Sequence, residues 1–167
     1  MNRLKAFTVF GGIFVLLLGI AAHFFYDLSG QSFFIGIFAP VNESTWEHMK
    51  LTFFPMLIFS GAARLFFGDM HGAASAGLFG TLLSTGLIPV IFYTYSGVLG
   101  YNTAVLNILT FVVCVLIGVI TFYFLCKSGK AEKYFSILFI SCAMLTLLFF
   151  VFTSFPPKIG IFADPTA

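Results

Sequence analysis

Five long apolar runs divide the chain, and shorter, more polar segments separate them. Each run has at least the ~20 residues with which an α-helix crosses roughly 30 Å of hydrocarbon. The runs lack the alternation of apolar and polar positions that is typical of membrane barrel strands. The pattern therefore predicts an all-α integral membrane bundle of five transmembrane helices, at residues 6–26, 46–67, 72–95, 104–126 and 134–155.

The composition agrees with this prediction and narrows the classes of function. Apolar residues are 60% of the 167 residues and charged residues 8%, so polar groups are too few to cover a water-soluble domain. The net charge of +2 is small and scattered, which argues against a nucleic-acid partner. The first run continues through Tyr26, long enough for a retained anchor. We expect one transmembrane domain, residues 1–167, with the lipid bilayer as its partner.

The distribution of lysine and arginine predicts the orientation of the bundle. Basic residues concentrate in cytoplasmic loops of membrane proteins. With the amino terminus cytoplasmic, six basic residues lie inside and two, Lys50 and Lys158, lie outside. The carboxyl terminus is then extracytoplasmic, together with the long connection between the first two spans. The six predicted to lie inside are Arg3, Lys5, Arg64, Lys127, Lys130 and Lys133.

The connection between the first two spans has structure of its own. Residues 33–38 read FFIGIF, too short to span and too apolar for water, which indicates an interfacial or re-entrant segment. Further on, Asn42 or Ser44 is predicted to be a helix N-cap, and Ser44-Thr45-Trp46-Glu47 matches the S-x-x-E capping box, so the second helix should begin there.

Polar side chains are concentrated in residues 40–51, PVNESTWEHMKL, immediately after this segment. In a chain with so few charges, such a cluster at a membrane edge is where specific chemistry is expected. The residues predicted to bind a ligand are Asn42, Glu43, Ser44, Trp46, Glu47, His48 and Lys50.

Some of these side chains also suit a metal ion. Carboxylate and imidazole groups are ligands of zinc and other divalent metals. Glu43 and Glu47 are four residues apart and would share a helix face. The predicted topology places His23 and Asp164 at the same end of the bundle. The predicted ligand set for a divalent metal such as zinc is Glu43, Glu47, His48, His23 and Asp164.

A purely structural interpretation of the same cluster stays open. Glu47 would cap its own helix, Lys50 would extend toward the interface, and Trp46 would belong to an interfacial aromatic belt. Asp69 and His71 are predicted to lie on the cytoplasmic side in a solvated connection, so we exclude them from the site.

Three functions remain in competition. The first is an outward-facing polar pocket that binds a cation, metal or small polar ligand, as in a transporter whose gates would be the helices bent at Pro55 and Pro89. The second is a membrane hydrolase, in which a metal-bound or Glu47-activated water attacks a substrate at the outer interface.

The third is a structural or accessory subunit of a membrane complex. Small residues at four-residue spacing in the third span would let another helix approach closely. That helix would belong to this chain, to a second copy in a homo-oligomer, or to a partner subunit. The small residues are Gly72, Ala76, Gly80 and Ser84.

The motif PVNESTWEHMKL and the tail FPPKIGIFADP resemble a family of uncharacterised small bacterial membrane proteins with the signature PVNESxWEHxKL. The resemblance implies a multi-pass protein of the bacterial inner membrane and supplies no activity. Trp46-Glu47-His48 is also similar to the Trp-x-His motif of adiponectin-receptor-like zinc hydrolases. Those enzymes need a histidine pair in their last helix, and residues 134–155 contain no histidine.

Overall fold

The computed structural model describes residues 3–68 and 72–164, and these residues form helices and loops without a β-strand. Short 3-10 helices lie at Glu132–Tyr134 and Gly160–Phe162. The α-helices are α1 (Arg3–Leu28), α2 (Phe33–Gly36), α3 (Thr45–Phe66), α4 (Ala73–Leu99), α5 (Ala104–Ser128) and α6 (Phe135–Ser154).

All of these α-helices except the single turn α2 are long and apolar enough to cross a membrane. The all-α class and five helices long and apolar enough to span a membrane are therefore confirmed, and the helix ends differ from the predicted bounds by a few residues. The largest shift is in α4, which continues to Leu99, and in its last turns the Thr94 and Ser96 hydroxyls donate to carbonyls of their own helix. Gly100 ends it with a φ of 76°, a conformation that glycine adopts without strain.

The helices pack as a ring of four with a fifth outside it. In the ring, α3 lies between α1 and α4, and α5 closes the circle by contacting α1 and α4. Helix α6 packs on the outer side of α4 and α3. Of the five spans, α3 is the most buried and α6 the least, so most of the α6 surface is left for lipid.

The small-residue stripe of α4 is used inside the chain. A Cβ on Gly80 would lie 2.7 Å from the carbonyl oxygen of Gly118 on α5, so the two helices meet backbone to backbone there. Ala76 and Ser84 on either side of Gly80 are fully buried. Gly72 is the N-cap of α4. The stripe that we considered for an oligomer or partner subunit is therefore covered by helices of the same chain.

The connection from α1 to α3 folds back over one end of the bundle. We call this the Glu43 end, at which α1 ends, α3 begins and the tail 155–164 lies. The turn α2 exposes Phe33 and Phe34, whereas Gly36 is buried. On the tail, Phe162 packs against Trp46 of α3 with ring centroids 4.9 Å apart. The connection and the tail therefore border the same start of α3.

Candidate metal centre

One of the two hydrogen bonds of the predicted capping box is formed at the start of α3. Ser44 is the N-cap, and its hydroxyl accepts a hydrogen bond from the backbone N–H of Glu47 at 3.3 Å. The backbone N–H of Ser44 donates to the side-chain oxygen of Asn42 at 2.9 Å, in the place where a capping box would use Glu47. Asn42 and Ser44 therefore shape the backbone at the helix start, and the Glu47 carboxylate is used elsewhere.

That carboxylate forms a buried ion pair with Lys50. Lys50 is 0% exposed, and its Nζ donates to Glu47 Oε2 at 2.6 Å. It also donates to the carbonyl oxygens of Gly36 at 2.8 Å and Ala39 at 3.4 Å. An ammonium group has three protons, so these three acceptors satisfy it completely. The interpretation of Lys50 as a side chain extended toward the interface is therefore wrong.

The second half of this network ties α6 and the α1–α3 connection to α3. Glu47 Oε2 also accepts from the backbone N–H of Val41 at 3.0 Å, and Oε1 accepts from the Thr153 hydroxyl at 3.1 Å. Trp46 packs on the same helix, with its ring centroid 4.8 Å from that of Phe149. The structure thus places Glu47, Lys50 and Trp46 in the packing between helices.

Three of the predicted metal ligands come together on the other side of the α3 start. His23 from α1, Glu43 from the connection and His48 from α3 each offer one ligand atom, and these atoms lie within 4.8 Å of one another. His48 Nε2 is 3.4 Å from Glu43 Oε2, and His23 Nε2 is 3.8 Å from Glu43 Oε1. All three side chains are partly exposed, so an ion from solution can reach them.

A backbone contact fixes which nitrogen of His48 faces the group. Its Nδ1 lies 3.0 Å from the carbonyl oxygen of Ser44, an oxygen that can only accept a hydrogen bond. Nδ1 is therefore the nitrogen that donates to this carbonyl, and Nε2 is the nitrogen that faces Glu43 and is available to a metal ion. A histidine held by a backbone carbonyl through one nitrogen and free at the other is the usual arrangement of metal-binding histidines.

Asp164, the fifth predicted ligand, lies beside this group. Its Oδ2 accepts a hydrogen bond from the backbone N–H of Glu43 at 3.4 Å, which joins the tail to the segment that carries the ligand. The group of three ligand atoms does not include it. Asp69 and His71, which we excluded from the site, lie outside the described residues.

A cavity of about 510 Å³ adjoins the metal group, and Glu43 and His48 are part of its wall. Asn107 of α5 and Tyr93 of α4 contribute to the rest of that wall, together with apolar side chains such as Phe111. Tyr93, Asn107 and Phe111 were not among the site residues predicted from the sequence. The signal that pointed to Asn107 was an amide within a 23-residue apolar run, although such amides usually join helices.

Comparison with known proteins shows the family of this chain but no activity. The sequence model of a family of unknown function, DUF6512, matches residues 1–167. The chain belongs to this family. No curated protein and no solved structure matches the chain.

The chemistry of this family member therefore rests on its own residues. The group combines two imidazoles and one carboxylate, a donor set that occurs in catalytic zinc sites. Borderline nitrogen donors beside a single carboxylate favour zinc, cobalt or nickel over magnesium or calcium, which prefer all-oxygen sites.

Proposed function

We propose that this chain is a multi-pass protein of the bacterial cell membrane that binds a divalent transition metal through His23, Glu43 and His48. The observation that carries the proposal is the convergence of three ligand atoms from separate segments of the chain. Ligands of a tetrahedral zinc ion, each about 2.0–2.1 Å from the metal, are about 3.3 Å apart. The His48–Glu43 and His23–Glu43 distances of 3.4 and 3.8 Å are close to this value, although they end on different carboxylate oxygens. The widest pair of ligand atoms, within 4.8 Å, has to close by up to about 1.5 Å for all three to reach one ion.

We further propose that the Glu43 end faces outward and the amino terminus lies in the cytoplasm. The support comes from the basic residues. Lys50 is paired with Glu47 inside the bundle, so its charge does not count toward the orientation of the chain in the membrane. Lys158 is then the one interfacial lysine expected at the Glu43 end. Six lysines and arginines are assigned to the opposite end, and cytoplasmic loops carry such an excess. One transmembrane domain, residues 1–167, is part of this proposal.

The cavity beside the group favours a hydrolase as the second candidate. Three protein ligands leave one position of a tetrahedral metal open, and catalytic zinc sites use that position for water. The third candidate, a subunit role, has less support because Gly80 and its neighbours on α4 are covered within the chain. A transporter that carries the metal ion would use the same site.

The test is titration of the purified protein in lipid nanodiscs with Zn²⁺ or Co²⁺ by calorimetry. We expect one metal per chain in the wild type. Removing one ligand, in Glu43→Gln or His48→Ala, should weaken binding by about a hundredfold, since even changes around metal ligands cost 10–100-fold. The matched control is Asp27→Asn, which removes a carboxylate at the same end of α1 that does not belong to the group.

Equal loss in Asp27→Asn and Glu43→Gln would indicate general attraction of cations to negative charge and would overturn the proposal. So would a wild type without saturable binding. Glu47→Gln gives a further separation, because Glu47 is paired with Lys50 and should not coordinate the ion. Loss of metal in Glu47→Gln with folding intact would instead favour the larger ligand set predicted from the sequence.

A further inference from the structure

The residues that line the cavity beside the metal group indicate which external ligand the metal would bind. With three protein ligands, a tetrahedral ion keeps one position for an external ligand. Two of the three ligands, Glu43 and His48, form part of the cavity wall. A ligand at the open position would therefore occupy the cavity.

Charge balance selects the sign of that ligand. A divalent ion with two neutral imidazoles and one carboxylate carries a net charge of +1. The net positive charge of the ion attracts a monoanion to the open position and repels a cation, and the partial exposure of the ligand side chains screens this effect. In the described wall Glu43 is the one acidic side chain, and lysine and arginine are absent from that wall. The Asp164 carboxylate, which accepts from the Glu43 backbone N–H, lies beside the group and lowers the positive charge that a ligand experiences.

The polar side chains of the wall differ in whether they have protons to donate. Tyr93 donates its hydroxyl proton to the carbonyl of Gly160, and the Ser96 and Thr110 hydroxyls donate to carbonyls of their own helices. Asn107 differs from these three because its side-chain oxygen accepts the Tyr95 hydroxyl, and Asn102 and Thr45 are further polar residues of the wall. With this oxygen turned toward Tyr95, the amide N–H groups of Asn107 are the ones that face a ligand.

Much of the remaining wall is apolar, with Thr45 and Asn102 as its other polar residues. Leu51 of α3, Ile88 of α4 and Phe111 of α5 face the cavity from its three sides. A volume of about 510 Å³ falls in the range of small-molecule sites, and such sites combine apolar walls with a few polar groups. The ligand should therefore have an anionic head and an apolar body.

We infer that the metal site takes a short-chain monocarboxylate, with one carboxylate oxygen on the metal, a hydrogen bond from Asn107 and an apolar body between α3, α4 and α5. This inference rests on the proposed metal site. Asn107 is then a specificity-determining residue that contacts the ligand but not the metal.

The experiment uses the Co²⁺-loaded full chain in nanodiscs, and the probe is sodium hexanoate. Visible absorption of Co²⁺ reports its coordination, so metal binding and carboxylate binding are read separately. We expect hexanoate to change the cobalt spectrum with saturation. Hexylammonium and hexanol, which keep the apolar body and change the head, should not.

Two substitutions of Asn107 test the hydrogen bond. Asn107→Leu should leave cobalt binding unchanged and weaken hexanoate about tenfold, because a hydrogen bond to a charged group is lost. Asn107→Asp keeps the shape and should weaken hexanoate more, because it places a like charge beside the carboxylate. The matched control is Thr94→Val, which removes an intrahelical hydrogen bond at the same end of α4 outside the cavity wall.

The outcomes separate this inference from the proposed function. A cobalt spectrum that hexanoate does not change, or one that hexylammonium changes in its place, overturns the carboxylate alone. Equal hexanoate affinity in Asn107→Leu and the wild type, or equal loss in Thr94→Val, also overturns it. Failure of the wild type to bind cobalt at all overturns the metal site and this inference together.

Discussion

Lys50 illustrates how a charged residue is accommodated inside the bundle. A fully buried ammonium group is costly unless it is paired and hydrogen-bonded. Here the charge is balanced by Glu47, and two carbonyls of the α1–α3 connection accept the remaining protons. Because those carbonyls precede Glu43 by only a few residues, the ion pair also fixes the backbone that presents a metal ligand.

We predict that Lys50→Met lowers the free energy of unfolding by about 3–5 kcal/mol, because it leaves the Glu47 carboxylate buried without a cation. Adding Glu47→Leu removes that unpaired charge, so the double variant should be more stable than Lys50→Met. The measurement is unfolding by SDS in mixed micelles, followed by circular dichroism.

The matched control for this cycle is Lys158→Met, a lysine of the tail that is exposed. Its removal should change stability by no more than about 0.5 kcal/mol. If Lys50→Met and Lys158→Met were equally stable, the ion pair would have no role in holding the connection.

At the scale of the helices, the five long helices were predictable from the sequence because each apolar run alone is long enough to indicate a membrane-crossing helix. Ser44 as N-cap was predictable for the same local reason. Which residues the polar side chains of α3 contact was not predictable from the sequence. Glu47 and His48 are adjacent in the sequence, yet one packs toward α6 and the other toward α1. That choice depends on how the helices pack around α3, which no local pattern encodes.

The close contact between α4 and α5 at Gly80 can be tested by a single substitution. We predict that Gly80→Ala destabilises the bundle by about 1–3 kcal/mol, because its Cβ would lie 2.7 Å from the Gly118 carbonyl oxygen and force the helices apart. Thermal unfolding in detergent, with helical content as the signal, measures the loss.

The same helix supplies the control for this substitution. Gly86 has open space where its Cβ would be, so Gly86→Ala should be neutral or stabilising by up to about 1 kcal/mol. A result in which both alanine variants behave alike would mean that helix propensity, and not close packing, decides the outcome at Gly80.

For the whole molecule, the proposed metal site and the proposed orientation are linked. The His23, Glu43 and His48 side chains lie at the end of the bundle that is poor in interfacial lysine and arginine. Under the positive-inside rule this end faces outward, so the site would sample ions and carboxylates from outside the cell. The reverse orientation would expose the same groups to the cytoplasm and change which ligands reach them.

Labelling of single introduced cysteines decides between the two orientations. We predict that a membrane-impermeant maleimide labels Lys158→Cys in intact cells, and labels Ser128→Cys only after the membrane is permeabilised. Cys114, Cys126 and Cys142 are buried, so the parent chain should give little background in either condition. The opposite labelling pattern would contradict the orientation while leaving the metal site intact, because metal binding depends on the contacts among its side chains and not on the side of the membrane.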